Sequence, residues 1–412
     1  MGGKKLGGQV TVGGSKNAVL PILAGAVLGR KSIIHNCPQI SDTQCTLEIL
    51  TALGCGVKTS GGTVEVDARG INNWHLPPDL MGKMRSSIIL AGGLLGRLGK
   101  ASAIYPGGCQ LGERPINLHL EAFRQLGAHV EDEDGVISIK AKRLTGAKIH
   151  LDVPSVGATQ NAVLAAVRAK GATIIQNAAR EPEIIDLQRF LVAAGAKVWG
   201  AGHPTIIVEG VADLRDVEYT IMPDRIVAGT YMAAAAITGG KVRLEGVNGA
   251  DVRPVAAKLA QAGCAMAWEK DAAIIAAPKG GVKAVGRVDA GPHPGFPTDM
   301  QPQFTALMAV AKGECIISDG IFESRDKHIA ELNSLGADIT NIDSRNFSIK
   351  GVGRLHGGIV TAHDLRGGAA LILAGLAAQG ETVVEDAKHV ARGYEDIARD
   401  LRALGADIEL ES

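Results

Sequence analysis

Aromatic residues are scarce in this chain: Trp, Tyr and Phe together make up 3% of 412 residues. Hydrophobic residues still reach 46%, so the core has to be built from Ala, Leu, Val and Ile, and 54 glycines supply tight turns. Net charge is also lacking, with 43 basic against 43 acidic residues. That gives no support to non-specific binding of nucleic acid or of a membrane surface. No apolar run approaches the roughly 18 residues of a membrane span, and the N-terminus has no signal-peptide core. Leu6 breaks a myristoylation pattern. The six cysteines form no CxxC pair and no disulfide-like framework. Neither HExxH nor a Cys/His cluster occurs, which excludes the common metal centres. There is no GxGxxG opening a βαβ unit and no Walker A sequence, so nicotinamide cofactors and P-loop nucleotide hydrolysis are excluded too. The expectation is a soluble, reduced, cytoplasmic protein without metal or cofactor, and nothing here fixes its oligomeric state.

What the chain does have is repetition. An amphipathic stretch ends six times in a small-residue pivot, at Gly54, Gly127, Gly195, Gly263, Gly336 and Gly405. Interleaved with it, an Ala/Leu-rich run closes at Gly29, Gly99, Gly171, Gly240, Gly313 and Gly380. Both series recur every 67 to 73 residues. A fixed period over the whole length means one supersecondary unit copied six times.

The third copy shows the unit. Ser155-Val156-Gly157-Ala158-Thr159 leads into Ala162 to Ala169, apolar nearly all round, which suits a buried helix stopped by a left-handed Gly171. Thr173 to Ile175 reads as a strand. Ile184, Leu187, Leu191 and Ala194 then fall at helical spacing among charged neighbours, a half-exposed helix. Strands Lys197–Trp199 and Thr205–Val208 close the unit. Each copy is therefore expected to hold two helices and about four strands, an α/β fold in which sheet surrounds buried helices. One core seldom serves more than about 300 residues, so the copies are expected to divide three and three.

Function must lie where the copies differ. The residues that open the buried helices are Ser15-Lys16-Asn17, Lys83-Met84-Arg85, Ser155-Val156-Gly157, Asp224-Arg225, Thr298-Asp299 and Asp364-Leu365-Arg366. Capping accounts for Ser155, Thr298 and Asp364. It does not account for Lys16, Arg85, Arg225 or Arg366, because a cation at the positive end of a helix dipole is unfavourable. The second variable place is the loop after the first strand. Pro106-Gly107-Gly108-Cys109, followed by Arg114-Pro115, departs furthest from its siblings. A thiol among glycines beside a cation has the surroundings of a reactive cysteine. Cys45, Cys55, Cys264 and Cys315, in periodic or β-like runs, are expected to be small buried hydrophobes. His119, between Leu118 and Leu120, reads equally well as a satisfied structural histidine or a ligand.

These stretches, with Arg180-Glu181-Pro182-Glu183, Pro223-Asp224-Arg225, Phe296-Pro297-Thr298-Asp299-Met300 and Arg392-Gly393-Tyr394, resemble the UDP-N-acetylglucosamine 1-carboxyvinyltransferase family of enolpyruvyl transferases. The likeness covers nearly the entire chain, in the family's order. It implies two inside-out α/β barrels of three repeats each, one over residues 16–222 and the other over 1–15 with 223–412. It implies transfer of the enolpyruvyl group of phosphoenolpyruvate to the 3′-hydroxyl of UDP-N-acetylglucosamine through a tetrahedral ketal, at the opening of peptidoglycan synthesis. By matching position, Lys16, Arg114 and Arg392 hold phosphoenolpyruvate with Asn17 nearby, and Asp299 is the general base. Cys109 matches the loop cysteine that acts as acid, adds phosphoenolpyruvate covalently and is alkylated by fosfomycin. Arg85, the segment Arg114, Pro115, Ile116, Asn117 and Leu118, the segment Val153, Pro154, Ser155, Val156 and Gly157, Asp299 and Ile321 match nucleotide-sugar contacts. Arg325, Asp364 and Arg366 match further site or domain-closure residues.

Two departures accompany the likeness. Ser41 stands where some relatives carry Lys, so a phosphate contact from that Lys does not carry over. The start is several residues shorter than usual, and the resemblance then implies a shortened first strand. The sister transferase acting on shikimate 3-phosphate shares the repeats but lacks the Gly-Gly-Cys loop. A catalytically dead repeat scaffold is the other alternative, against which stands the presence of every charged position the chemistry needs.

Overall fold

A computed structural model describes residues 1–108 and 115–411. The described chain divides into two units, one formed by residues 14–108 and 115–222, the other by 1–13 and 223–411. The first unit buries helices α1 (Lys16–Ala26), α2 (Leu90–Leu98) and α3 (Val156–Ala166). The second buries α4 (Arg225–Ile237), α5 (Gln301–Ala309) and α6 (Leu365–Ala377). Every residue of α4 and α5 is buried. Helices enclosed on all sides need small or apolar residues on all sides, and Ala, Gly and Leu supply them.

Close helix approach depends on particular glycines. A β-carbon on Gly93 of α2 would lie 2.4 Å from the carbonyl oxygen of Ala24 in α1. One on Gly92 would lie 2.5 Å from the Asn161 Oδ1 of α3. The three helices of this unit therefore cross at distances that only glycine permits at those points.

Around each helix trio stand the sheets and the half-exposed helices. In the third copy Lys148–His150 runs parallel to Ala172–Gln176, and Thr205–Glu209 and Lys197–Trp199 follow antiparallel. Alternation sends Thr173, Ile175, Ile206 and Val208 inward. The first copy takes its edge strand from the end of the third, Val217–Thr220 pairing parallel with Lys31–His35. In the second unit Gly7–Thr11 plays that part, pairing parallel with Lys241–Glu245 of the fourth copy. The N-terminal segment is thus built into the second unit.

The half-exposed helices are Ser41–Ala52, Asn117–Gln125, Pro182–Ala193, Arg253–Gln261, Lys327–Ser334 and Ile397–Ala403. The pivot glycine after each has a φ between +90° and +98°, which makes it a left-handed stop in every copy. Gly171 acts differently from expectation. The buried helix ends at Ala166 with a right-handed cap at Val167, and Gly171, φ +90°, turns the chain into the next strand. Strand number varies as well. The second copy has three strands with a single bridge, His75 to Ser102, in the fourth place. The sixth has two, Ile359–Thr361 and Val383–Glu385, and its inward-facing Val384 is only half-buried.

Candidate functional site

In the first unit, the hydroxyl of Ser15 caps α1 by accepting from the Ala18 N–H at 3.3 Å. Lys16 follows at the first helical position, where a cation is unfavourable. It is compensated by Asp42, whose carboxylate lies 2.9 Å from Lys16 Nζ, both side chains being nearly buried. Asp42 sits one residue after Ser41 at the start of its own helix, where a carboxylate also suits the dipole. Asn17 is the next residue of α1.

Arg85 opens the short turn of 3-10 helix that leads into α2. Burial lowers its pKa from the ordinary arginine value. Two glycines bring the neighbouring loop against it. A β-carbon on Gly107 would fall 1.9 Å from the Gly82 carbonyl oxygen, and one on Gly108 would fall 3.1 Å from the Arg85 nitrogen. The chain thus reaches Gly108 beside Arg85. Cys109 and Arg114 lie outside the described residues.

Past them, Pro115 and buried Ile116 lead into the helix that begins Asn117-Leu118-His119. His119 proves to be a keystone that spacing alone left undecided. Its Nδ1 receives a hydrogen bond from Asn161 Nδ2 at 2.7 Å. Asn161 orientation is fixed by two backbone groups, since its Oδ1 accepts from Gly92 N–H and its Nδ2 also donates to the Ile88 carbonyl. The imidazole therefore carries its proton on Nε2. Burial first, then the charge of Arg85, pushes the His119 pKa down to about 4, so the ring is neutral. The ring packs on Gly157, where a β-carbon would lie 2.8 Å from Cε1. This contact brings the segment Pro115–Leu118 to the segment Val153–Gly157. Ser155 caps α3 through the Ala158 N–H, Pro154, Val156 and Gly157 are half-buried, and Val153 is exposed.

The second unit gathers more charge. Asp299, in the turn Thr298–Met300 before α5, is held from both sides. Its Oδ1 accepts from Arg325 Nη1 at 3.1 Å and its Oδ2 from Arg366 Nη2 at 3.0 Å. Arg366 is 2% exposed. Burial works against its charge, but Asp299, Tyr394 and Asp224 outweigh it and hold the pKa above the ordinary arginine value. The guanidinium carbon stands 5.7 Å from the centre of the Tyr394 ring. Tyr394 is anchored in turn, its hydroxyl bonded to Thr230 at 2.8 Å and receiving from Gln303 at 3.2 Å. Arg392, two residues earlier, ends the short helix Ala387–Arg392.

Asp224 and Asp364 are caps. Asp224 accepts from the N–H groups of Ile226 and Val227 on α4, and Asp364 from those of Arg366 and Gly367 on α6. Thr298 does not cap α5, contrary to the expectation from its position. Its hydroxyl donates instead to Asp319 Oδ2 at 2.6 Å and accepts from Arg325 Nη1 at 3.0 Å. The hydroxyl proton goes to a carboxylate and its lone pairs to a guanidinium rather than to a backbone N–H, because charge-assisted bonds are the stronger. Arg325 is at the end of the loop that follows strand Glu314–Asp319, stacked 4.5 Å over Phe322, with Ile321 exposed beside it.

The described cysteines are all buried. Burial raises the thiol pKa of Cys37 and Cys55 to about 12 and of Cys264 and Cys315 to about 11. Among the described residues, no cluster of His, Cys, Asp and Glu has the make-up of a metal site. None of the described helices is long and apolar enough to cross a membrane.

The family model described as EPSP synthase (3-phosphoshikimate 1-carboxyvinyltransferase) matches residues 1–401. The chain is 48% identical over 408 residues to UDP-N-acetylglucosamine 1-carboxyvinyltransferase 2 of Caldanaerobacter subterraneus subsp. tengcongensis, covering 99% of this chain and 97% of that one. It is 45% identical over 408 residues to the UDP-N-acetylglucosamine 1-carboxyvinyltransferase of Geotalea uraniireducens, with the same coverage of 99% and 97%. Among solved structures, the enolpyruvyl transferase NikO from Streptomyces tendae matches with a TM-score of 0.89 at 28% identity, over 99% of this chain and 97% of its own. An EPSP synthase from Acinetobacter baumannii matches with a TM-score of 0.77 at 23% identity, over 100% and 98%, and shares the fold.

Proposed function

The chain belongs to the EPSP synthase family of enolpyruvyl transferases, and from that premise we propose that it transfers the enolpyruvyl group of phosphoenolpyruvate to the 3′-hydroxyl of UDP-N-acetylglucosamine, releasing phosphate. The observation that carries this reading is identity of nearly half the residues, over nearly the full length, with relatives bearing that name. The product would enter peptidoglycan assembly, and both substrates belong to the cytoplasm.

The residues suit the chemistry. Phosphoenolpyruvate presents a phosphate and a carboxylate, and Lys16, Arg114 and Arg392 are assigned to them. Asn17 accompanies Lys16. Pro115 to Leu118, Val153 to Gly157, Arg85 and Ile321 are assigned to the nucleotide sugar. In the addition step the sugar oxygen bonds to C2 of phosphoenolpyruvate, while C3 takes a proton from Cys109. Elimination then returns a proton from C3 and expels phosphate, so the double bond is restored.

Asp299 is assigned the proton of the sugar hydroxyl. Its two guanidinium partners keep it ionised and also weaken it as a base. Such a carboxylate is matched to a hydroxyl whose proton is lost late, once carbon–oxygen bond formation has made it acidic. Arg325 and Arg366 then neutralise no new charge and serve to aim the carboxylate. Phosphate release from phosphoenolpyruvate, assayed with UDP-N-acetylglucosamine and with shikimate 3-phosphate, tests the proposal. Turnover with the nucleotide sugar alone is expected; turnover with shikimate 3-phosphate alone would replace it by the sister reaction.

A further inference from the structure

Asp319 stands outside every motif named above, yet it touches the parts of the second unit that Asp299 depends on. It ends strand Glu314–Asp319 and is 2% exposed. Its two oxygens do different work. Oδ1 accepts from the N–H groups of Ile321 and Phe322, at 2.9 Å and 3.0 Å, and so folds the loop that carries Ile321 and Arg325. Oδ2 accepts the Thr298 hydroxyl proton at 2.6 Å. Once that proton is committed, the lone pairs of Thr298 Oγ1 face the other way, where Arg325 Nη1 donates to them at 3.0 Å. The same Nη1 reaches the Thr298 carbonyl at 2.5 Å and Asp299 Oδ1 at 3.1 Å. A buried carboxylate accepting three hydrogen bonds is a rigid post.

We infer that Asp319 is a positioning residue for the transfer reaction. It sets the Thr298 hydroxyl as an acceptor, the hydroxyl sets Arg325, and Arg325 with Arg366 aims Asp299. Through its other oxygen it shapes the loop at Ile321. The inference rests on the reading of Asp299 as a group of the enolpyruvyl transfer site. Binding and chemistry are thereby tied to separate oxygens of one side chain, and substitution can separate them.

Asp319→Asn keeps the shape. Its amide oxygen satisfies the Ile321 and Phe322 N–H groups, and its NH2 then meets Thr298 Oγ1 as a donor, competing with Arg325 for the same lone pairs. The expected result is a kcat lower by about ten- to hundredfold, the scale of loss from a small misplacement of a reacting group. KM for UDP-N-acetylglucosamine should stay within about twofold of wild type, because the loop is still folded. Thr298→Val should reproduce the kcat loss, and the double variant should be no slower than the slower single one, since both break one chain of contacts. Losses that multiply in the double variant, a wild-type kcat in Asp319→Asn, or a change confined to KM would overturn the inference. Should Asp319→Asn not fold, Thr298→Val decides alone, and an unchanged kcat overturns it. A crystal structure of the Asp319→Asn chain is the arm that needs no substrate: Arg325 displaced from Asp299 is expected, and Arg325 unmoved counts against the inference. Wild-type inactivity with UDP-N-acetylglucosamine would instead remove the underlying reading.

Discussion

Two guanidinium groups converge on one carboxylate in the second unit, and the charge of Asp299 is thereby secured while its basicity is restrained. Asp299→Ala removes the acceptor and leaves Arg325 and Arg366 facing one another. Turnover should fall by about a thousandfold or more, the range of a lost general base with its positioning, while titration still detects nucleotide-sugar binding; full activity would exclude Asp299 as the base. Thiol chemistry separates as sharply. Cys37, Cys45, Cys55, Cys264 and Cys315 are all buried, and the raised pKa values of Cys37, Cys55, Cys264 and Cys315 keep those thiols protonated at neutral pH. Fosfomycin should therefore label Cys109 alone, faster with UDP-N-acetylglucosamine present, as read by peptide mass. Cys109→Asp, which keeps an acid in the loop, should stay active and resist the drug; an inactive variant that still binds substrate would contradict the acid role.

Histidines supply a pH dependence with a definite sign. His119 and His328 both titrate at about 4 in the folded chain, each because burial disfavours the cation. An unfolded histidine takes up its proton near pH 6.5. Between those values the unfolded state binds protons that the folded state refuses, so the contribution of these two histidines to stability is full above 6.5 and declines as pH falls from 6.5 towards 4. Urea midpoints measured across that window should fall, and His119→Gln should flatten the fall in part, leaving the share of His328. A midpoint independent of pH over this range would contradict the assignment.

Among the elements, the buried helices are the most tightly specified. Gly93→Ala would press a methyl group against the Ala24 carbonyl, a gap of 2.4 Å, and α1 and α2 would have to part. Overpacking of this kind costs roughly 1–3 kcal/mol, so the urea midpoint should drop measurably; an unchanged midpoint would show that the helices give way freely. Most of these elements are legible in the sequence because their causes are local. The pivot glycines at 54, 127, 195, 263, 336 and 405 announce left-handed stops, and Ile184, Leu187 and Leu191 announce the face of a helix. What stays hidden is set by residues far apart in the chain. Thr298 looks like a cap until Asp319 is placed beside it, and His119 is ambiguous until Asn161, 42 residues away, fixes its tautomer. Gly171 shows the local signal failing in a milder way, since a glycine after a helix can turn the next strand as well as end the helix.

Across the whole molecule, one slot is repeated six times and filled differently each time. At the mouth of each buried helix stand Lys16, Arg85, Ser155, Asp224, Asp299 and Asp364. Three of the six, Ser155, Asp224 and Asp364, serve their own helices as caps. Lys16 is preceded by a cap, Ser15, and balanced by Asp42, which frees the slot for a cation. Asp299 gives up capping for its two arginines. The fold's requirement at each mouth is only that the helix end be satisfied; which residue satisfies it is left open, and the proposed chemistry occupies that freedom.

Phosphate release identifies the acceptor. With phosphoenolpyruvate and UDP-N-acetylglucosamine the chain should release phosphate stoichiometrically with formation of the enolpyruvyl nucleotide sugar, and none with shikimate 3-phosphate. Release that is absent with the nucleotide sugar, or present only with shikimate 3-phosphate, would contradict the assignment of UDP-N-acetylglucosamine as acceptor.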